Sequence, residues 1–309
     1  MPRNRLLPLV FCLAAGSLAA GPIAFVTCQN GDALSVLDID AGTELRRLSV
    51  PGRPAGVAAA PDGSVYTVST DSKTVRHLSP MGEVLAETVL DGGPIGVALD
   101  PRAARLFVSD WYNARIWVLD APSLGLLTTL ETGSAPAGLA VSGGFLASAD
   151  RDANAVSIFD RETLALRHRV PVGERPFGIA FAPDGRLFAA NVGTNDVSVI
   201  DPATGTVTGR FPVGDRPYGV AFARDRVFVT NQYADTVSVV DGQSLAPLAT
   251  LSVGEYPEGI DSDGHRVVVS NWASNTVTLI DAATLTVTGE IATADGPRAF
   301  GRFLGGAAP

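Results

Sequence analysis

Residues 176–213 read PFGIAFAPDGRLFAANVGTNDVSVIDPATGTVTGRFPV, and their punctuation is that of four strands. Phe177–Phe181 and Leu187–Asn191 are short apolar runs. Between them sits Pro183-Asp184-Gly185, a tight turn in which Pro fixes φ and Gly accepts positive φ. A polar loop, Val192–Asp196, leads into the β-branched run Val197–Ile200. Asp201-Pro202-Ala203-Thr204-Gly205 then turns the chain into Val207–Val213. No stretch of 3.6-residue periodicity intervenes, so the unit is not a βαβ element.

Outward from this unit the pattern repeats. A P-x-G step or near-equivalent recurs at Pro54, Pro94, Pro136, Pro176, Pro217, Pro257 and Pro297, at spacings of 40, 42, 40, 41, 40 and 40 residues. The last copy is degenerate, with Ala299 in place of the glycine. A second signal interleaves: a β-branched run ending in Asp at Asp38, Asp120, Asp160, Asp201, Asp241 and Asp281, with Ser79 in the second unit. Four antiparallel strands (A to D, from the axis outward) repeated seven times predict an all-β, seven-bladed β-propeller. The first unit begins at strand B, Ile23–Cys28, and Pro297–Phe303 is left over as an unpaired strand A. One blade shared between the N- and C-termini would therefore close the ring and leave no open edge.

The ends and composition set the surroundings. Residues 1–20 read as a secretory signal: Arg3 and Arg5, then the apolar stretch Leu6–Ala15, then small residues around Ala19-Ala20-Gly21. The apolar stretch is shorter than the ~20 residues of a membrane span, which disfavours the alternative of an anchor. Residues 21–309 form a single propeller domain in this reading, released as a monomer with no membrane span after cleavage. Cleavage removes Cys12 and leaves Cys28 as the one cysteine, so no internal disulfide forms. The formal charge of −9 becomes about −11 without Arg3 and Arg5. Such an acidic domain is not expected to bind nucleic acid, where basic patches supply affinity.

Strand order sorts the loops onto two faces. The A–B and C–D turns are short and stereotyped, and their Asp residues suit capping of backbone amides two residues on. The D–A and B–C loops share the other face and vary from unit to unit. They gather Arg53, Trp111, Tyr112, Arg151, Arg175, Phe177, Arg216, Tyr218, Tyr233, Tyr256, Glu258, Trp272 and Arg298. Aromatic and Arg side chains together are the types that anchor interfaces and stack on planar or cationic ligands. This face is the candidate site for a periplasmic protein or small-molecule ligand. The competing reading is that the charges pair between blades and the rings cap blade cores.

No catalytic set is legible. His77, His168 and His265 fall at unlike positions, and no clustered metal-ligand spacing occurs. There is no G-x-S-x-G elbow, P-loop or C-x-x-C-H. Cys28, in the slot where later units carry Asn, reads as a buried thiol. No cofactor, catalytic residue or metal ligand is assigned. An oxygen-ligand metal site at the pore mouth, through Glu258, is the alternative.

Phe188-Ala189-Ala190-Asn191, Val229-Thr230-Asn231 and Val269-Ser270-Asn271 resemble the Y-V-T-N signature of the bacterial YVTN-repeat propellers, the YncE-like group. So does the phrase from Val213-Gly214 through Pro217-Tyr218-Gly219 to Asp241. Ser69, Asp110 and Asp150 depart from it in the Asn position. The resemblance implies an exported propeller. It also implies an accessory role near periplasmic quinoprotein (PQQ-dependent) alcohol oxidation, since some members are encoded with such systems. The expected function is a non-enzymatic binding scaffold; the alternative is a propeller lyase or lactone hydrolase.

Overall fold

The computed structural model describes residues 22–307, with side chains described through residue 305. The expected signal, residues 1–20, lies outside them. Six four-stranded sheets and one five-stranded sheet make seven blades. Among the described residues the one helical element is the 3-10 turn Arg151–Ala153. The fifth blade runs Pro176–Phe181, Leu187–Asn191, Asp196–Asp201 and Thr206–Pro212, within a residue of the sequence expectation at every end.

Strands B and C are buried along almost their whole length, whereas strand D alternates toward solvent, as Thr43–Ser49 does. That difference follows from stacking: each sheet has a neighbour on both faces, and only its outer strand is free. The apolar clusters accordingly straddle blades. Phe188, Val197 and Val199 of the fifth blade pack with Val220, Val227 and Val229 of the sixth. Trp117 of the third packs with Val68 and Val75 of the second. Each such side chain contributes roughly 1.5–3 kcal/mol on burial.

The P-x-G step is a β-bulge that joins blades. Register slips between Pro176 and Ile179, Pro217 and Val220, and Pro257 and Ile260. The bulge turns the carbonyl of the middle residue toward the preceding blade, against its glycine. A Cβ on Gly178 would lie 2.1 Å from Tyr218 O, and one on Gly96 2.1 Å from Ala137 O. Strand-B hydroxyls bind the same carbonyls: Ser109 Oγ donates to Ala137 O at 2.7 Å, Thr27 Oγ1 to Ala55 O at 2.8 Å, and Thr230 Oγ1 to Glu258 O at 3.0 Å.

Closure by a shared blade holds, but with a different segment from the one the repeat predicts. The innermost strand of the first blade is Leu304–Ala307, paired with Pro22–Cys28. Pro297 does bridge Cys28, and Arg298 N donates to Thr27 O at 2.7 Å. The chain then leaves that edge. Phe300–Arg302 crosses into the channel and pairs in parallel with Pro54–Ala59, giving the second blade its fifth strand. Phe303 returns, its carbonyl accepting Phe25 N at 2.8 Å. The degenerate Ala299, at φ 46°, and Gly301, at φ 135°, shape this excursion. A Cβ on Gly301 would stand 2.2 Å from Val57 O, so glycine is required there.

Candidate functional site

Four of the residues before P-x-G prolines project from the loop face in a left-handed backbone: Arg53, Arg175, Arg216 and Tyr256 have φ of 59, 53, 53 and 55°. Such a conformation costs a non-glycine residue roughly 1–2 kcal/mol. It is held by an Asx side chain in the preceding B–C loop. Asp32, Asn154, Asn195 and Asp235 accept these four amides at 2.8, 2.8, 2.9 and 2.9 Å. The sequence shows the Arg and Tyr residues; the staple beneath them was not expected.

Arg216 and Tyr256 form a continuous ladder with Tyr233 and Trp272 of the B–C loops. The Arg216 guanidinium lies 4.2 Å from the centre of the Tyr233 ring and donates to its hydroxyl. Tyr233 and Tyr256 are 5.3 Å apart, and Tyr256 and Trp272 6.2 Å. A hydrogen bond with Tyr233, then burial, raises the Tyr256 phenol above its ordinary range. Tyr233 is 49% exposed and Tyr256 38%. Nearby blades add a second group, with the Arg151 guanidinium 5.4 Å from Trp111 and Trp111 6.0 Å from Phe177.

Three residues expected on the open face are buried instead. Phe177, Tyr218 and Glu258 point into the channel mouth and are only 5–6% exposed. Phe177 and Tyr218 meet at 4.3 Å, and Phe300 closes on Phe177 at 4.9 Å. These rings stopper the channel at the loop face. Phe300 was missed because the tail was read as an ordinary strand A.

The stopper has a polar side. Glu258 Oε1 accepts Gln232 Nε2 at 2.7 Å, and its Oε2 lies 3.2 Å from Arg298 Nε, an ion pair too poorly aligned to count as a hydrogen bond. Arg298 donates to the Tyr218 hydroxyl and to Gln29 Oε1 at 3.2 Å. Burial pushes the Glu258 carboxyl and the Tyr218 phenol up. Burial also works against the charge on Arg298, but Glu258 and Tyr218 together outweigh it and hold that pKa above the usual arginine range. Glu258 is therefore engaged by Arg298 and Gln232, which leaves the alternative of a pore-mouth metal site without a free carboxylate there. Among the described residues no three His, Cys, Asp or Glu side chains converge.

The remaining candidates stand apart. Arg53 reaches Asn30 Oδ1 at 3.2 Å and Asp71 at 3.9 Å. Arg175 is exposed. Tyr112, 75% exposed, lies over Gly93, where a Cβ would come within 2.6 Å of the ring. The Asn slot is a structural post. Asn231 accepts Gly214 N at 3.0 Å and donates to Ser238 at 2.9 Å. Asp110 accepts Gly93 N at 2.8 Å and Asp150 accepts Gly133 N at 2.9 Å, so these departures keep the same work. In the first blade Cys28 contacts Ser35 Oγ at 3.5 Å, and Ser35 accepts Ala294 N at 3.1 Å. Cys28 is fully buried, which raises its thiol pKa.

With the seven blades and this loop face in view, the family description YNCE-like beta-propeller matches residues 7–299. The chain belongs to the YncE-like β-propeller family. Its fold is shared with a functionally unknown protein from Desulfotomaculum acetoxidans DSM 771, at TM-score 0.76 and 17% identity over 93% of this chain and 99% of that one. Hydrazine synthase of Kuenenia stuttgartiensis is similar at TM-score 0.71 and 18% identity, over 81% and 89% of the two chains. Virginiamycin B lyase from Staphylococcus aureus gives 0.70 and 16%, over 82% and 92%. At such identities the likeness is one of fold. No curated protein matches the sequence significantly.

The face opposite the loops carries what sequence reading missed in this YncE-like propeller. Beneath the aromatic stopper lies a cavity of about 880 Å³, lined by strand A and the A–B turns of the blades and by the tail residues Phe300, Gly301, Arg302 and Leu304. It opens among turns that look stereotyped in sequence, so no local signal marked it.

Proposed function

We propose that this YncE-like propeller is an exported binding scaffold that docks a periplasmic protein through its loop face. The observation that carries the reading is the ladder Arg216–Tyr233–Tyr256–Trp272, its two tyrosines exposed and its ends half-buried, mounted on backbone fixed by Asn195 and Asp235. Rigid aromatic anchors beside an Arg are the usual energetic centre of an interface. Residues 1–20 act as the secretion signal in this reading, the mature monomer resides in the periplasm or is secreted, and the partner belongs to a PQQ-dependent alcohol-oxidation system. A small-molecule ligand on the same face uses the same rings. The lyase or lactone-hydrolase reading finds no support in the geometry of Glu258, which Arg298 and Gln232 occupy.

Interferometry with a purified quinoprotein alcohol dehydrogenase from the same periplasm tests this proposal. Tyr233→Ala and Trp272→Ala are expected to weaken binding at least tenfold, about 1.4 kcal/mol, with thermal midpoints close to the parent. Unchanged affinity in both variants, or no binding by the parent, overturns the partner assignment.

A further inference from the structure

The 880 Å³ cavity is blind and built from backbone edges. Strand A lies innermost in every sheet but that of the second blade, and among the described residues its inner edge has no partner in blades three to seven. Edge N–H and C=O groups of this kind invite an added strand. In the second blade the invitation is already taken: Phe300, Gly301 and Arg302 pair in parallel with Gly56, Val57 and Ala58. The molecule thus holds, in its own channel, an extended backbone bound to a strand-A edge.

Charge at the cavity is asymmetric. Asp100 is paired with Arg161 at 2.7 Å and Asp184 with Arg186 at 2.6 Å. Asp261 accepts the amides of Phe303 and Leu304, both at 2.9 Å. Among the described residues Arg302 and Arg102, which also line the cavity, make no side-chain ion pair within 4 Å, and Arg302 is exposed. In an otherwise acidic chain, of net charge −9, Arg302 and Arg102 therefore stand at the channel with no carboxylate bound to them, the buried Asp261 acting on Arg302 only through space. The partly exposed Phe181 and Phe222 add apolar wall.

We propose that this cavity binds a short extended peptide with a free C-terminal carboxylate, its backbone pairing with strand-A edges and its carboxylate meeting Arg302. The volume falls in the ~300–1,000 Å³ range of small-ligand sites. A small apolar acid would use Arg302 but not the edges; a neutral peptide would use the edges but not Arg302. The site lies on the face opposite the ladder and does not depend on the docking proposal.

Calorimetric titration of the full chain with tri-alanine, tri-alanine amide and butyrate distinguishes these cases. Tri-alanine is expected to bind at least tenfold more tightly than either comparator. Arg302→Met is expected to remove the advantage over the amide. Hydrogen exchange should show tri-alanine protecting 136–142, 176–181 or 217–223, the strand-A segments, and not the loop-face residues 232–235. Equal affinity for tri-alanine and its amide in the parent chain overturns the proposal without recourse to any variant. So does protection confined to the loop face.

Discussion

Asp261 Oδ2 accepts the backbone amide of Phe303 at 2.9 Å, and so fastens the returning tail to the seventh blade. The same oxygen takes Leu304 N at 2.9 Å. Five other blades have alanine at the equivalent place: Ala58, Ala98, Ala140, Ala180 and Ala221. The departure from the repeat therefore coincides with the departure of the tail from the repeat's path. A buried amide left without an acceptor costs about 1–3 kcal/mol. Asp261→Ala should lower stability by about 3 kcal/mol, and the melting midpoint by about 6–10 °C for a domain of this size. Deleting residues 304–309 removes the innermost strand of the first blade, and calorimetry should show a larger drop. A variant melting with the parent would mean that Leu304–Ala307 does not latch the ring.

The seven periods, the strand limits of the fifth blade and the shared closing blade were all legible from P-x-G spacing and turn chemistry. What could not be read follows from where the repeat breaks. Pro297 still looks like the start of a strand A, and only Ala299 hints that the chain will leave the edge. The burial of Phe177, Tyr218 and Glu258 depends on Phe300 arriving from far along the chain, which no local pattern encodes. The equivalence of Asp110 and Asp150 with Asn231 rests on one oxygen accepting a glycine amide, a task either residue type performs. The cavity escaped notice because its walls are strand edges, and backbone groups leave no mark in side-chain identity.

The interblade contact at Gly178 should be intolerant of a single methyl group. Its Cβ would meet Tyr218 O at 2.1 Å, with the Gly219 Cα 2.9 Å away. The backbone of Tyr218-Gly219 cannot swing aside as a side chain can, so overpacking should cost about 3 kcal/mol in Gly178→Ala. Gly144 is the control. It has open space around it and no left-handed φ, and Gly144→Ala should stay within about 0.5 kcal/mol of the parent or gain slightly. Chemical denaturation of the two variants reads the difference; equal midpoints would remove the ring of close contacts as the reason for P-x-G.

Asp150 offers a test of the Asn slot. It is fully buried and takes Gly133 N at 2.9 Å and hydroxyls of Ser148 and Ser157. Burial raises its carboxyl pKa in spite of those donors. A raised folded pKa means the native state binds the proton more readily than the unfolded chain, so its contribution falls as pH climbs above the ordinary carboxyl range. Asparagine fits the slot without that penalty, as Asn191 does by donating to Ser198 at 3.0 Å. Asp150→Asn should therefore raise the melting point at pH 7 by about 2 °C, a gain of about 1 kcal/mol. The gain should shrink toward pH 4, and a variant less stable than the parent at pH 7 would show that the charge itself is needed.

The C–D turns should fail in the opposite direction. Asp160 accepts Thr163 N at 2.8 Å and the Arg167 guanidinium at 2.7 Å, and Asp281 accepts Ala283 N at 2.8 Å and Thr284 N at 2.7 Å. Backbone amides, joined by hydroxyls of Thr163, Ser244 and Thr284, hold Asp160, Asp241 and Asp281 below the usual carboxylate range. At Asp201 the Thr204 hydroxyl is the main cause of the same lowering. A lowered folded pKa gives stability that is complete above the ordinary carboxyl pKa and is lost as pH falls through the folded value. Because the turn recurs in successive blades, the losses accumulate and the melting point should drop steeply below about pH 4. Asp281→Asn keeps an acceptor oxygen and loses the titration. Its acid limb should be shallower than the parent's, with little change at pH 7. An acid limb identical in slope would mean that these turns do not govern acid unfolding.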